Sequence, residues 1–224
     1  MIGLALSVGD FGTLMLNILI AEDYPLFRLG VKELLTDGLE AVRVGECDNA
    51  HDLFELIRRK KWDVLILDIS MPGTTGTEAL KHVKKVCPTL PVIILTMYQE
   101  DQYAVRMFKA GADAYLTKAS APEELVTAIK KVVAGGQYVS QALGEKLVHL
   151  LHRGDEATPQ NLLSDREYEV MRLLASGKTV SEIAHHLHLG ITTISTYRAR
   201  ILEKLNLKNN AELMRYAVQQ GIGE

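Results

Sequence analysis

Between Met15 and Ala134 five short apolar runs alternate with five amphipathic stretches, and no other feature of the chain narrows its possible folds so far. The runs are Leu16 to Ala21, Val42 to Gly45, Val64 to Leu67, Val92 to Thr96 and Ala114 to Leu116. Each is rich in Ile, Val or Leu and short enough for a strand buried on both faces. Leu26 to Leu35, Ala50 to Arg59, Thr77 to Val86, Gln102 to Lys109 and Pro122 to Val133 lie between and after them with apolar residues at helical spacing. Strict alternation of strand and helix implies parallel strands joined by right-handed crossovers. The expected architecture is therefore α/β, a doubly wound five-stranded parallel sheet with helices on both faces. Trp62 is expected to pack at the entrance to the third strand.

The alternation stops at Gly135-Gly136, where the fifth helix should close, and 224 residues leave room for a second, smaller unit. Ser140 to His152 has helical spacing in Leu143, Leu147, Leu150 and Leu151, and the polar run Arg153 to Asn161, with Gly154 and Pro159, reads as an exposed linker. From Ser164 the pattern is all helical, with helices expected from Ser164 to Gly177, Val180 to Leu187, Thr192 to Leu205 and Asn210 to Gln220. Ser164 with Glu167, and Asn209 with Glu212, have the spacing of capping boxes. The expected division is a tail at 1–14, an α/β domain at 15–134, a linker with a helix at 135–161 and a four-helix domain at 162–224.

Composition adds mainly exclusions. With 47% hydrophobic and 24% charged residues the chain is neither disordered nor fibrous. Met1 to Leu14 is mildly apolar, but it lacks a basic lead-in and is broken by Asp10, so it resembles neither a signal peptide nor a membrane span. Cys47 and Cys87 lack metal-ligand spacing and read as two reduced, packed thiols of a cytoplasmic protein. The net charge of −3 is unevenly split: 17 Lys and Arg face 21 Asp and Glu in residues 1–159, and 8 face 7 beyond them. A C-terminal part so weakly basic is not marked as a nucleic-acid binder by charge alone.

The first domain nevertheless gathers chemistry. Glu22 and Asp23 follow the first strand, Asp68 the third and Lys118 the fifth, while Thr96 ends the fourth. In a doubly wound sheet all these strand ends lie on one edge, where ligands bind. Converging carboxylates repel one another unless a hard cation relieves them, and magnesium tolerates a few oxygen ligands beside waters and phosphate oxygens. A hydroxyl and an ammonium complete a phosphoryl site, with Asp68 as candidate nucleophile through an acyl phosphate. Any one of these residues could simply cap a strand end. Their joint placement at four strand ends carries the argument.

The run Leu65-Ile66-Leu67-Asp68-Ile69-Ser70-Met71-Pro72, the upstream Glu22-Asp23 and the downstream Gly111-Ala112-Asp113-Ala114-Tyr115-Leu116-Thr117-Lys118 resemble the receiver domain of two-component systems, a flavodoxin/CheY-like fold. The resemblance implies that Asp68 accepts a phosphoryl group from a sensor histidine kinase. It also implies that Asp23, Asp68 and the backbone carbonyl of Ser70 hold Mg2+, with Glu22 assisting through water. Thr96 and Tyr115 would form the switch, and Lys118 would pair with the phosphate. Many receivers carry a proline where Ala119 stands. The alternative is a magnesium-dependent phosphohydrolase, but Ser70 occupies the place where such enzymes carry a second acid, so the chain is expected not to be an enzyme.

In the second domain Ile183, Ala184 and Leu187 form the apolar stripe of one helix, Leu189-Gly190 the turn, and Ile194, Ile201, Leu202 and Leu205 the stripe of the next. This is the form of a helix-turn-helix. Leu163-Ser164-Asp165-Arg166-Glu167, Glu182-Ile183-Ala184 and the run Thr193 to Leu205 resemble the LuxR-type output domain of NarL/FixJ regulators. By that resemblance Ser195, Thr196 and Ala199 face base edges of double-stranded DNA, and Thr192, Thr193, Arg198, Arg200 and Lys204 lie near phosphates. Gly190 and Thr192 stand where many relatives have Ser and Lys, which weakens a helix cap and a phosphate contact. Tyr216, Ala217 and Gln220 would form the surface of a homodimer populated on phosphorylation or DNA binding. No membrane partner is implied. Neither His185, His186 and His188 nor His149 and His152 are completed into a zinc set.

Overall fold

The computed structural model describes residues 15–71, 74–98, 100–141, 143–145, 163–187 and 189–219. The expected tail at 1–14, most of the helix expected over 140–152 and the linker 153–161 lie outside the described residues; of that helix, Gln141 and residues 143–145 are helical.

The sheet is parallel with the order β2-β1-β3-β4-β5, formed by β1 (Leu16–Ala21), β2 (Val42–Cys47), β3 (Val64–Leu67), β4 (Val92–Thr96) and β5 (Ala114–Thr117). The helices α1 (Pro25–Gly38), α2 (Ala50–Arg59), α3 (Gly76–Val86), α4 (Glu100–Lys109) and α5 (Ala121–Val133) follow the strands in turn. Alternate strand residues feed two cores. Leu19, Ala21, Leu65, Leu67, Ile94 and Tyr115 pack with α2, α3 and α4, whereas Ile18, Ile20, Ile66, Ile93, Leu95 and Leu116 pack with α1 and α5. That double burial is why Ile18 to Ala21 of β1, all of β3 and Val92 to Leu95 of β4 read as unbroken apolar runs. Each fully buried aliphatic side chain contributes about 2 kcal/mol.

Local chemistry sets the element ends. Thr75 and Glu78 cap α3 reciprocally, and Pro25 and Pro122 sit in the first turns of α1 and α5, where a missing N–H costs nothing. Gly76 opens α3 in close contact with Ile69, where an added Cβ would collide with the Ile69 Cα. Trp62 does pack ahead of β3; its indole N–H donates to the Leu56 carbonyl and its ring lies over Gly45, which has no side chain to obstruct it. Both thiols are free, and burial, aided by the charges of Asp52 and Asp48, pushes Cys47 up to about 12.

The C-terminal domain consists of α6 (Asp165–Ala175), α7 (Val180–His186), α8 (Ile191–Lys204) and α9 (Asn210–Gln219). Capping boxes open α6 at Ser164 and Glu167 and α7 at Thr179 and Glu182. At α9 the box is incomplete: Asn209 Oδ1 accepts the Glu212 N–H, but the Glu212 carboxylate takes the N–H of Lys208. Gly190 caps α8 with no side chain. Gly177, at φ 84°, and Asn206, at φ 54°, turn the chain after α6 and α8 through the left-handed region that these two residue types tolerate best. No helix of the described residues is long and apolar enough to cross a membrane.

Candidate functional site

Strand register assembles the site. Ala21 of β1 pairs with Leu67 of β3, so the next residues, Glu22 and Asp68, emerge side by side. Thr96 of β4 pairs with Thr117 of β5, which puts Lys118 one step past the threonine. Backbone bonds pin the exits: Asp68 N–H donates to Ala21 O at 2.9 Å and Lys118 N–H to Thr96 O at 2.7 Å. Glu22, Asp68 and Thr96 are buried, whereas Asp23 is exposed at the rim.

Carboxylate oxygens of Glu22, Asp23 and Asp68 lie within 4.8 Å of one another, the one cluster of three metal-capable side chains among the described residues. Hard oxygen donors on a half-open edge suit a small divalent cation. The Lys118 ammonium bridges two of them, 2.8 Å from Asp68 Oδ2 and 2.7 Å from Glu22 Oε2. Burial raises the Glu22 carboxyl above its usual value and the neighbouring Asp68 charge adds to the rise, while the hydrogen bond and charge of Lys118 and the Tyr24 N–H pull it down without cancelling the effect of burial. For Lys118 burial acts downward, but the charge and hydrogen bond of Asp68, with those of Glu22, win and the ammonium is raised. The other Asp68 oxygen accepts the Ser70 N–H at 2.9 Å.

Sequence reasoning missed two supports. Arg28 of α1 donates to the Glu22 carbonyl at 2.6 Å and pairs with Glu46, fixing the bend that carries the acidic pair, and the Phe27 ring lies 4.6 Å from the Lys118 ammonium. Their spacing from Glu22 places both in the first turn of α1, but nothing in the sequence shows that this turn faces the site. Thr96 Oγ1 accepts the Tyr98 N–H at 3.4 Å, and the buried Tyr115 donates its hydroxyl to the Tyr98 carbonyl at 2.9 Å. Thr96 and Tyr115 thus meet on one residue, Tyr98, which sequence reasoning did not single out.

In the helix-turn-helix, Ile194 and Ile201 of α8 are buried while Thr192, Thr193, Ser195, Thr196, Ala199 and Arg200 are exposed and Arg198 is half-exposed. The Thr196 hydroxyl donates back to Thr192 O at 2.9 Å. Lys204 is exposed and also has a partner inside its own domain: its ammonium lies 2.6 Å from the buried Glu167 carboxylate and ties the end of α8 to the start of α6. One expectation is corrected on α9. Ala217 is fully buried in its own domain and cannot face a partner; Tyr216 is half-buried, and Gln220 lies outside the described residues. Met214 and Val218 are the exposed apolar residues of that helix. His185 and His186 are exposed, while His149, His152 and His188 lie outside the described residues.

A phosphoryl-type carboxylate edge on a doubly wound sheet, followed by a helix-turn-helix, defines a two-domain regulator. Residues 18–130 match the response regulator receiver domain and residues 161–217 the luxR family of bacterial regulatory proteins, and the chain belongs to the response regulators that join these two. It is 35% identical to response regulator GacA of Pseudomonas aeruginosa, over 93% of this chain and 98% of that one. Response regulator UvrY of Escherichia coli is 32% identical, over 93% and 96%. Among solved structures, RcsB of Salmonella enterica serovar Typhimurium bound to promoter rprA with a phosphomimetic superposes with a TM-score of 0.62 at 28% identity, covering 91% of this chain and 98% of that one. An RcsB–DNA complex gives 0.58 at 29%, covering 92% and 98%.

Proposed function

We propose that this chain is a cytoplasmic, phosphorylation-dependent transcription regulator in which Asp68 accepts a phosphoryl group from a sensor histidine kinase and so controls DNA binding by the C-terminal domain. The observation that carries the reading is the surroundings of Asp68: a buried carboxylate between the Lys118 ammonium and the Ser70 N–H, beside Glu22 and Asp23, in a chain whose other domain exposes a helix-turn-helix face.

An Asp68 oxygen would attack the phosphorus of a phosphohistidine, forming the acyl phosphate as the P–N bond breaks and the imidazole leaves. Mg2+, held by Asp23, Asp68 and the Ser70 carbonyl with Glu22 assisting through water, would neutralise charge on the transferring group. Lys118 would then pair with a phosphoryl oxygen instead of the carboxylate. The Thr96 hydroxyl would turn from the Tyr98 amide to donate to another, and Tyr115 would reorient with it. A phosphoryl group brings more charge and more acceptor oxygens than a carboxylate, and so favours the second arrangement.

On DNA, Ser195, Thr196 and Ala199 would read base edges, with Thr192, Thr193, Arg198, Arg200 and Lys204 near phosphates. The division into a receiver at 15–134, a linker and an output domain at 162–224 is part of this reading. A homodimer through the exposed side of α9 fits it too, with Met214 and Val218 replacing the buried Ala217 beside Tyr216; Gln220, also expected there, lies outside the described residues.

Full-length protein incubated with acetyl phosphate and Mg2+ should gain one acid-stable, base-labile phosphoryl group. The Asp68→Asn variant should gain none, and equal labelling of that variant would overturn the assignment.

A further inference from the structure

The two domains meet through an aromatic and cationic contact with Tyr98 at its centre. Its ring stacks on Tyr103 of α4 with centroids 4.8 Å apart and planes 17° from parallel. The Arg172 guanidinium of α6, in the other domain, lies 3.7 Å from the Tyr98 centroid and 5.8 Å from that of Tyr103. Tyr103 in turn meets Tyr168 of α6 edge-on at 5.3 Å, and Arg106 of α4 lies 4.4 Å from the Tyr168 ring and donates to the Leu163 carbonyl at 3.3 Å. Tyr103 and Tyr168 are buried by this contact and by their own domains.

The same Tyr98 is bonded into the phosphoryl site from the other side. Its N–H points at Thr96 Oγ1 and its carbonyl accepts the Tyr115 hydroxyl. One residue therefore touches Thr96 and Tyr115 on the receiver side and Arg172 of the output domain on the other.

We propose that Arg172 is a positioning residue for the phosphoryl site: by clamping the Tyr98 ring it holds the Thr96 and Tyr115 hydroxyls in their unphosphorylated directions. This rests on the reading of Asp68 as the phosphoryl acceptor. For the Thr96 hydroxyl to donate to a phosphoryl oxygen, the segment carrying Tyr98 has to shift, and for Tyr115 to reorient it has to release the Tyr98 carbonyl. A guanidinium stacked on that ring opposes both movements. Linkage makes the effect reciprocal, so occupancy of the phosphoryl site loosens the α4–α6 contact by the same factor by which that contact weakens phosphoryl binding.

The test uses the full chain and beryllofluoride with Mg2+, a non-covalent stand-in for the phosphoryl group, because reciprocity holds for equilibrium binding. Titration calorimetry should show Arg172→Ala binding it roughly five- to tenfold more tightly than the unaltered protein, the size expected of one desolvated cation–π contact. Arg172→Lys, which keeps the charge but loses the flat stacking surface, should fall between. Hydrogen exchange should show α4 amides less protected in Arg172→Ala, and equally so in the unaltered protein once beryllofluoride is bound. A purely structural role would change thermal stability without tightening the ligand. Equal or weaker beryllofluoride binding by a folded Arg172→Ala overturns the proposal; if that variant does not fold, Tyr98→Leu removes the ring from the receiver side and carries the same expectation. Failure of the unaltered protein to bind beryllofluoride would count against the phosphoryl site itself, and unchanged α4 exchange in Arg172→Ala would then overturn the clamp independently.

Discussion

At the scale of the residue, one ammonium serves two buried carboxylates. Lys118 reaches both Asp68 and Glu22 with a side chain only 9% exposed, so removing it strands two negative charges against each other. Lys118→Met should lower unfolding free energy by about 3 kcal/mol in chelator, the cost of leaving a buried charge without its partner. Millimolar Mg2+ should recover part of the loss by supplying the missing positive charge; thermal unfolding with and without Mg2+ checks both statements, and no response to Mg2+ would count against the cation site. Although paired with Lys118, the Glu22 carboxyl has the pH dependence of a buried acid. Because burial raises it above its value in the unfolded chain, its contribution to stability is complete below about pH 4.5 and is lost as pH climbs through the folded value. Glu22→Gln stays neutral, so its stability relative to the unaltered protein should rise between pH 4.5 and 7 in chelator, measured by denaturant unfolding. The acidic trio, Thr96 and Lys118 were legible in the sequence because each stands where an apolar run stops, and a parallel sheet puts all such stops on one edge. Arg28 and Tyr98 were not, because their roles depend on which way a helix turn and a loop face.

At the scale of the element, starts and stops were better marked than faces. Ser164 with Glu167 declared the start of α6 in sequence, and Gly177 its end, because capping and the left-handed turn are local chemistry. The buried side of α9 was not readable. Ala217 fits either a dimer face or the domain's own core by periodicity, and only packing on α6 decides between them. Glu167 shows how far a cap can reach. Burial acts to raise its carboxyl, but the Lys204 hydrogen bond together with the Ser164 amide and hydroxyl outweighs it and holds the group below its usual value. A depressed carboxyl stabilises the fold above about pH 4.5, and that contribution is lost as pH falls through the folded value. Glu167→Gln should therefore be less stable than the unaltered protein at neutral pH, by about 1 to 2 kcal/mol, and the difference should shrink on acidification to pH 3.5. At α3, Gly76→Ala drives a methyl into Ile69 backbone and should lower stability by about 1 to 3 kcal/mol. Because Ile69 adjoins Asp68, the same change should slow labelling by acetyl phosphate.

At the scale of the whole molecule, what matters is where the domain contact is placed. It uses α6 and leaves the outward side of α8 open: Thr192, Thr193, Ser195, Thr196, Ala199 and Arg200 are exposed while Arg172 and Tyr168 are engaged with the receiver. A regulator built this way does not need phosphorylation to uncover its reading helix. Phosphorylation would act on how two copies are arranged on adjacent half-sites, through release of the receiver and pairing of α9. The two modes give different salt dependences. If the face is already open, phosphorylated and unphosphorylated protein engage the same phosphates on a single half-site, and the plots of log affinity against log salt run parallel. On DNA with two half-sites, phosphorylated protein should bind more tightly and more cooperatively. Arg200→Ala should reduce the slope on a single half-site by about 1 in either state, the signature of one lost phosphate contact. Fluorescence anisotropy across a salt series measures all of these. A single-half-site slope that steepens on phosphorylation would mean that α8 gains contacts it lacked before, and that the receiver had shielded it after all.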